Sequence, residues 1–175
     1  MEIYLIRHTT PVLSPGLIYG RTELLLSETF SQEAEIIKEK LPENFDRVYS
    51  SPALRCTELA EKIATDFQTD SRLTELDFGD WEGKTWNTVD QIELQLWMDD
   101  FVNVCVPGGE SMIGMYQRVK EFWQELTAKS EHKIAIVTHA GVIRLILAIV
   151  REIALDKVFE IKVDYGEVIV VDSVQ

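Results

Sequence analysis

Two histidines each stand directly behind an apolar run. His8 follows Ile3-Tyr4-Leu5-Ile6-Arg7, and His139 follows Ile134-Ala135-Ile136-Val137-Thr138. Arg7 adjoins the first histidine, and Arg55 comes shortly after Ser50-Ser51-Pro52. Guanidinium forks suit the oxygens of a doubly charged phosphate. An imidazole among such cations is held in its neutral form, because their charge disfavours another positive group. Neutral imidazole has one lone-pair nitrogen. If a backbone carbonyl holds the proton of the other nitrogen, the lone pair is free to attack phosphorus. The chemistry would be phosphoryl transfer to histidine and then to water, with the arginines and the second histidine stabilising the equatorial oxygens. Ester cleavage also needs a proton for the leaving alkoxide. Glu75, Asp77, Asp80 and Glu82 are the candidate acids, all in the turn-rich stretch 71–83.

These groups act together only if the elements bring them together. The first strand is expected over Glu2–Arg7. A long loop follows to about Ser27, with Pro11, Pro15, Gly16 and Gly20, and long ordered loops are usually functional. A helix over Phe30–Leu41, stopped by Pro42, carries Ala34, Ile37 and Leu41 inward. Asp46–Ser50 reads as a second strand. A helix then starts at Ser51-Pro52, with Ser51 as N-cap, and its inward positions run through Leu59 and Ile63 to Phe67. Trp86–Phe101 reads as helical, anchored by Trp86, Val89, Leu96 and Trp97. After Val106-Pro107-Gly108-Gly109-Glu110-Ser111, a helix to about Lys129 turns Met112, Met115, Val119, Phe122 and Leu126 inward, with Ser111 as its cap. Lys133–Thr138 is a strand, Val142–Arg151 a buried helix, and Lys162–Val174 one or two β segments around a turn at Tyr165-Gly166. Strands alternating with helices give an α/β fold with a mostly parallel sheet. Parallel strands would put Arg7, His8, Arg55 and His139 at one sheet edge, where ligands bind in such folds. Free N–H groups of a helix beginning near Gly141 would add positive potential.

The formal net charge of −13 argues against nucleic acid and anionic membranes as partners. It also makes a local convergence of cations informative. The 175 residues suit a single domain, 1–175. No run approaches the roughly 20 apolar residues of a membrane span, and no signal peptide is apparent, so a cytoplasmic protein is expected. Cys56 and Cys105 form no metal-spaced pair. They are read as free thiols, with Cys56 a core residue.

Four segments resemble the histidine phosphatase, or phosphoglycerate mutase-like, superfamily: Leu5-Ile6-Arg7-His8-Thr9, Ser50-Ser51-Pro52-Ala53-Leu54-Arg55-Cys56-Thr57, Leu73–Gly83, and Val137-Thr138-His139-Ala140-Gly141. The resemblance runs in order from Ile3 to about Leu147. It implies a three-layer α/β/α sandwich, with His8 as the phosphorylated nucleophile and Arg7, Arg55 and His139 on the phosphate. It implies Glu75 as the acid and a structural place for Glu82. Thr9 and Ala140 stand where many members have glycine, and both are expected at the substrate. Tyr19-Gly20-Arg21-Thr22 and the Val106–Ser111 loop, with Arg7–Pro11 and the Phe78–Glu82 run, further resemble the α-ribazole 5′-phosphate phosphatases of cobalamin nucleotide-loop assembly. By that resemblance Tyr19, Gly20 and Arg21 contact substrate, with the Gly20 N–H close to the phosphate.

The expected partner is a small phosphorylated metabolite. No metal is expected beside the arginines, and no other cofactor. Asp77-Phe78-Gly79 matches a kinase tripeptide, but no glycine-rich loop or His-Arg-Asp segment accompanies it. The alternatives are a broad-specificity sugar or nucleotide phosphatase, a mutase-type phosphotransferase, and a non-catalytic phospholigand-binding module. The stretch from Gly83 to Pro107 is short for the shielding segment of the family mutases, which favours water as acceptor. The Ile161–Val174 edge offers a surface for pairing two copies.

Overall fold

The computed structural model describes residues 1–172. Its sheet holds β1 (Glu2–Arg7), β2 (Arg47–Ser50), β3 (Gln68–Thr69), β4 (Lys133–Thr138) and β5 (Val168–Asp172), in the order β3-β2-β4-β1-β5. The pairs β2–β3, β2–β4 and β1–β4 are parallel, and β5 runs antiparallel to β1. Strands covered on both faces bury nearly every side chain, hence the unbroken apolar runs. Ile3, Leu5, Ile6, Ile134, Ile136 and Val137 are fully buried.

One face carries α4 (Met112–Thr127) and α5 (Ala140–Arg151). They pack with Leu73, Leu76 and Val158 over Ile3, Leu5, Ile134 and Ile136. The other face carries α1 (Phe30–Lys38) and α2 (Leu54–Ile63), whose Ala34, Ile37, Cys56, Leu59 and Ala60 cover Tyr4, Ile6, Ala135 and Val137. This is the expected three-layer sandwich. α3 (Gln91–Asp99) belongs to a smaller cluster of Ile18, Trp81, Val89, Trp97 and Val106 beneath the loops. Among the described residues no helix is long and apolar enough to cross a membrane.

Several boundaries differ from the sequence reading. α1 ends at Lys38: the Lys40 and Leu41 N–H groups bond three residues back, and Pro42 disfavours helical backbone at Leu41. α2 starts at Leu54 behind Ala53, whose side chain makes no cap; the Leu54 N–H donates instead to the Glu23 carboxylate at 3.0 Å, and the Ser51 hydroxyl, 2.8 Å from His139 Nε2, accepts only at 3.4 Å from the Ala53 N–H. Phe67 lies beyond α2 and leads into β3, an edge strand too short to leave a periodic signal. α3 begins five residues later than Trp86–Phe101 implied, because the Asp90 carboxylate caps Ile92 and Glu93. Leu96 is 58% exposed on the outer side of α3 and anchors nothing, and Trp86 is 39% exposed. Ser111 caps α4 as expected, accepting from the Gly114 N–H. In the tail, a turn with Gly166 at φ +66° precedes β5. The expected β segment up to Val174 lies partly outside the described residues.

Candidate active site

Parallel register puts the ends of β1, β4 and β2 side by side: Arg7 pairs with Thr138, and Ser50 with Val137. The ladder continues one residue further. The His8 N–H donates to the Thr138 carbonyl at 3.0 Å and the Ser51 N–H to the Val137 carbonyl at 2.9 Å. His8, Ser51 and His139 therefore leave the sheet at one edge with fixed backbones.

His8 is 1% exposed. Its Nδ1 lies 2.8 Å from the Thr9 carbonyl. A carbonyl only accepts, so Nδ1 carries the proton and Nε2 keeps its lone pair. Burial, with the Arg55 and Arg7 guanidiniums, pushes the imidazole pKa down to about 3 against the opposing pull of the Thr9 bond. The ring is thus a neutral nucleophile of defined tautomer.

Arg55 is fully buried. Its Nη2 donates to the Gly20 carbonyl at 2.7 Å and its Nη1 to the Thr22 carbonyl at 3.0 Å. Nη2 also lies 3.3 Å from Nδ1 of His139. Guanidinium only donates, so this Nδ1 accepts and Nε2 bears the proton, which goes to the Ser51 hydroxyl at 2.8 Å. Burial, then His8, Arg55 and Arg7, hold the His139 pKa well below its ordinary value. Arg7 donates from Nη1 to the Val163 carbonyl at 2.7 Å and stacks 3.7 Å from the Tyr165 ring centroid. Cys56 touches His139 with Sγ 3.6 Å from Nε2, but burial pushes its thiol up to about 12, as suits a core residue.

Among the described residues, four buried side-chain polar atoms lack a partner, and three belong here: Arg7 Nε, Arg55 Nε and Thr9 Oγ1. Buried donors left open cost about 1–3 kcal/mol each. Their convergence beside a neutral imidazole marks a place for an anion with several acceptor oxygens.

Of the four carboxylates, Glu75 reaches the cluster. Its Oε2 accepts from the Gly141 N–H at 3.0 Å and its Oε1 from the Leu76 N–H at 2.9 Å. The Gly141 N–H therefore serves Glu75 and is not free for a phosphate. Asp77 accepts from the Gly79 N–H within its own turn. Asp80 lies against Gly108. Glu82 accepts from the N–H groups of Gly20, Arg21, Thr22 and Phe78 and from the Thr22 hydroxyl, so it builds the loop over the site.

That bond alters the expected part of Gly20: its N–H is spent on Glu82, while its carbonyl accepts from Arg55. A side chain there would meet the Leu76 carbonyl oxygen at 1.8 Å. Arg21 lies at the rim, its Nε 3.2 Å from the Glu75 carbonyl. Tyr19 bonds Tyr165 hydroxyl to hydroxyl at 2.6 Å. Ala140 is the buried first residue of α5.

Sequence reasoning passed over three groups. Tyr165 covers Arg7 and lies 5.6 Å from the His8 ring; a lone turn tyrosine carries no spacing signal. Arg144 walls the cleft shared by Arg7, Tyr19 and Glu75; as the single charge inside the apolar run 140–150, it was visible. Arg118 bonds Glu110 through Nε and Nη2, the Arg72 carbonyl at 2.6 Å and the Glu75 carbonyl at 3.2 Å. It fixes the segment that carries the acid and gives Glu110 its structural place.

Two small cavities open onto this edge. One, of about 170 Å³, borders Gly20, Arg21, Glu75 and His139. The other, of about 180 Å³, borders Arg7, Tyr19, Glu75 and Arg144. A larger hollow, lined by Glu43–Val48 and Ile63–Gln68, lies at the opposite end of the strands.

The pattern of the histidine phosphatase superfamily (branch 1) matches residues 3–174. Among curated proteins, the chain is 28% identical over 172 residues to a putative phosphoserine phosphatase 2 of Hydrogenobacter thermophilus, covering 93% of this chain and 85% of that protein. It is 27% identical over 176 residues to the adenosylcobalamin/α-ribazole phosphatase of Escherichia coli, covering 95% and 87%. Among solved structures, the α-ribazole phosphatase from Shigella flexneri superposes with a TM-score of 0.91 at 26% identity, covering 100% of this chain and 92% of that one.

Proposed function

The chain belongs to the histidine phosphatase superfamily, and we propose that this phosphatase hydrolyses small phosphomonoesters through a covalent phosphohistidine on His8. The observation that carries the reading is the fixed tautomer of His8: Nδ1–H on the Thr9 carbonyl leaves an Nε2 lone pair among open guanidinium donors. Arg7, Arg55 and the Thr9 hydroxyl hold the phosphoryl oxygens. The His8 Nε2 forms a bond to phosphorus while the ester P–O bond breaks, and the Glu75 carboxyl gives its proton to the alkoxide. Water then attacks phosphorus and passes a proton back to Glu75. The P–N bond breaks and His8 returns neutral. Tyr19 and Arg21 stand at the rim to meet the alcohol. Residues 1–175 serve this one site as a single domain.

For the substrate we propose α-ribazole 5′-phosphate. It rests on the Tyr19–Thr22 and Val106–Ser111 segments and on the likeness to the Shigella and Escherichia phosphatases. Phosphoserine is the second reading, supported by the Hydrogenobacter relative. A panel of the two esters with sugar phosphates and nucleotides separates them by kcat/KM.

His8→Ala is expected to abolish turnover of every ester while the chain stays folded. Rapid acid quench of the native protein should trap a phosphoenzyme that is labile in acid and stable in base. Undiminished turnover in His8→Ala would sink the mechanism.

A further inference from the structure

A separate cavity of about 530 Å³ is lined by Trp86, Leu94, Trp97, Met98, Phe101 and Phe159. None of the six is charged, and the volume falls within the range of small-molecule sites. Phe159 is also a wall of the cleft that holds Arg7, Glu75 and Arg144, so one ring is shared by the apolar cavity and the phosphate edge. The Arg144 guanidinium lies 5.8 Å over that ring.

Trp97 supplies an independent sign. Its Nε1 is buried without a partner, the only such side-chain atom among the described residues outside the phosphate cluster. Trp97 itself is 8% exposed. The walls are aromatic faces: Trp86 and Trp97 lie 22° from parallel, and the Phe101 and Phe159 centroids are 4.8 Å apart. Such faces favour planar rings. The fold leaves the mouth open, with Phe159 and Met98 about half exposed.

We propose that this cavity binds the alcohol part of the substrate, and that the substrate is a phosphomonoester whose alcohol carries a planar, apolar ring system with a hydrogen-bond acceptor. The proposal rests on the phosphatase reading: phosphate on Arg7 and Arg55, ring system across Phe159 among the tryptophans. A small charged alcohol such as serine gains nothing there, so the subsite separates the two substrates named above.

The test compares hydrolysis of 2-naphthyl phosphate, a quinolinyl phosphate and phosphoserine. The native protein should favour 2-naphthyl phosphate over phosphoserine at least tenfold in kcat/KM. Met98→Glu places a charge at the exposed mouth and should cut that ratio at least tenfold, through KM. Trp97→Phe should remove any preference for the quinolinyl over the naphthyl ester. An unchanged ratio in Met98→Glu overturns the subsite and leaves the phosphatase reading standing. Sedimentation showing a native dimer that Met98→Glu splits, with the ratio unchanged, also overturns it and gives this face to a second copy of the chain. If the native protein hydrolyses no ester, the phosphatase reading fails, and tryptophan quenching by 2-naphthyl phosphate decides the subsite. Saturable quenching that weakens tenfold in Met98→Glu supports it, and its absence overturns it.

Discussion

The rings of His8 and His139 meet edge to face, their centroids 5.2 Å apart, and both are held neutral inside the fold. His8 is pushed down to about 3 and His139 well below the ordinary 6.5. Above pH 6.5 both are neutral folded and unfolded, so their part in stability is fully present. Below it, the unfolded chain takes up protons the fold refuses. Stability should therefore fall by up to about 1.4 kcal/mol per pH unit per histidine, continuing toward pH 3 for His8. Urea unfolding at pH 7 and pH 5 measures this. The native chain is expected to lose more stability than the His8→Gln/His139→Gln double variant; equal losses would assign the slope to other groups.

A bound phosphate reverses that balance. His139 now accepts from Arg55 at Nδ1 and donates from Nε2 to Ser51, so it has no spare N–H for an oxygen. To donate to phosphate it must gain a proton, and an anion at this distance favours the imidazolium form. Binding of sulfate, a tetrahedral dianion that carries no titrating proton near pH 7, should therefore take up a fraction of a proton. Titration calorimetry in buffers of different ionisation enthalpy reads the uptake directly. A binding heat independent of buffer would mean that His139 stays neutral.

The parts of this site carried by strand ends were legible in the sequence. Apolar runs stopped by Arg7-His8 and Thr138-His139 specify buried parallel strands, and parallel strands bring those ends to one edge. Arg55 was legible through its segment, although the helix behind it starts later than Ser51-Pro52 suggested. The Ser51 hydroxyl has two possible partners, a helix terminus and His139, and sequence cannot rank a local partner against one 88 residues away. Gly20 misled for a similar reason: its N–H answers to Glu82, 62 residues on. Tyr165 and Arg118 act through geometry that only the folded loops create.

Glu82 should influence substrate binding more than chemistry. Burial raises its carboxyl pKa, but hydrogen bonds from the Thr22 hydroxyl and the Arg21, Gly20 and Thr22 N–H groups outweigh this and hold it below 4.5. Its contribution is present above that pH and lost as pH falls below it. The loop it holds supplies the carbonyls that orient Arg55 and carries Tyr19 and Arg21. Glu82→Gln keeps the shape but weakens several charge-assisted bonds. Because the site is half open to solvent, the expected loss is about 1–2 kcal/mol of stability. KM for phosphate esters should rise several-fold with kcat nearly kept. A fall in kcat with KM unchanged would instead give Glu82 a part in proton transfer.

The acid can be separated from its neighbours through the glycine it leans on. Glu75 bonds the Gly141 N–H, and a Cβ at Gly141 would stand 2.1 Å from its Oε1. Gly141 lies in the first turn of α5 with ordinary helical backbone, so Gly141→Ala favours the helix itself while pushing the carboxyl aside. The variant should remain folded with little change in melting temperature. If Glu75 protonates the leaving alkoxide, both Gly141→Ala and Glu75→Gln lose most on esters with basic leaving groups and least on p-nitrophenyl phosphate, whose leaving group needs no proton. A loss of about 10²–10⁴-fold is the usual size of a general-acid contribution and is expected for an alkyl phosphate with Glu75→Gln. Equal losses on both ester types would show that Glu75 only holds the turn, and would pass the acid's role to Asp77 or Asp80. The matching variants there should leave the leaving-group dependence unchanged if Glu75 is the acid.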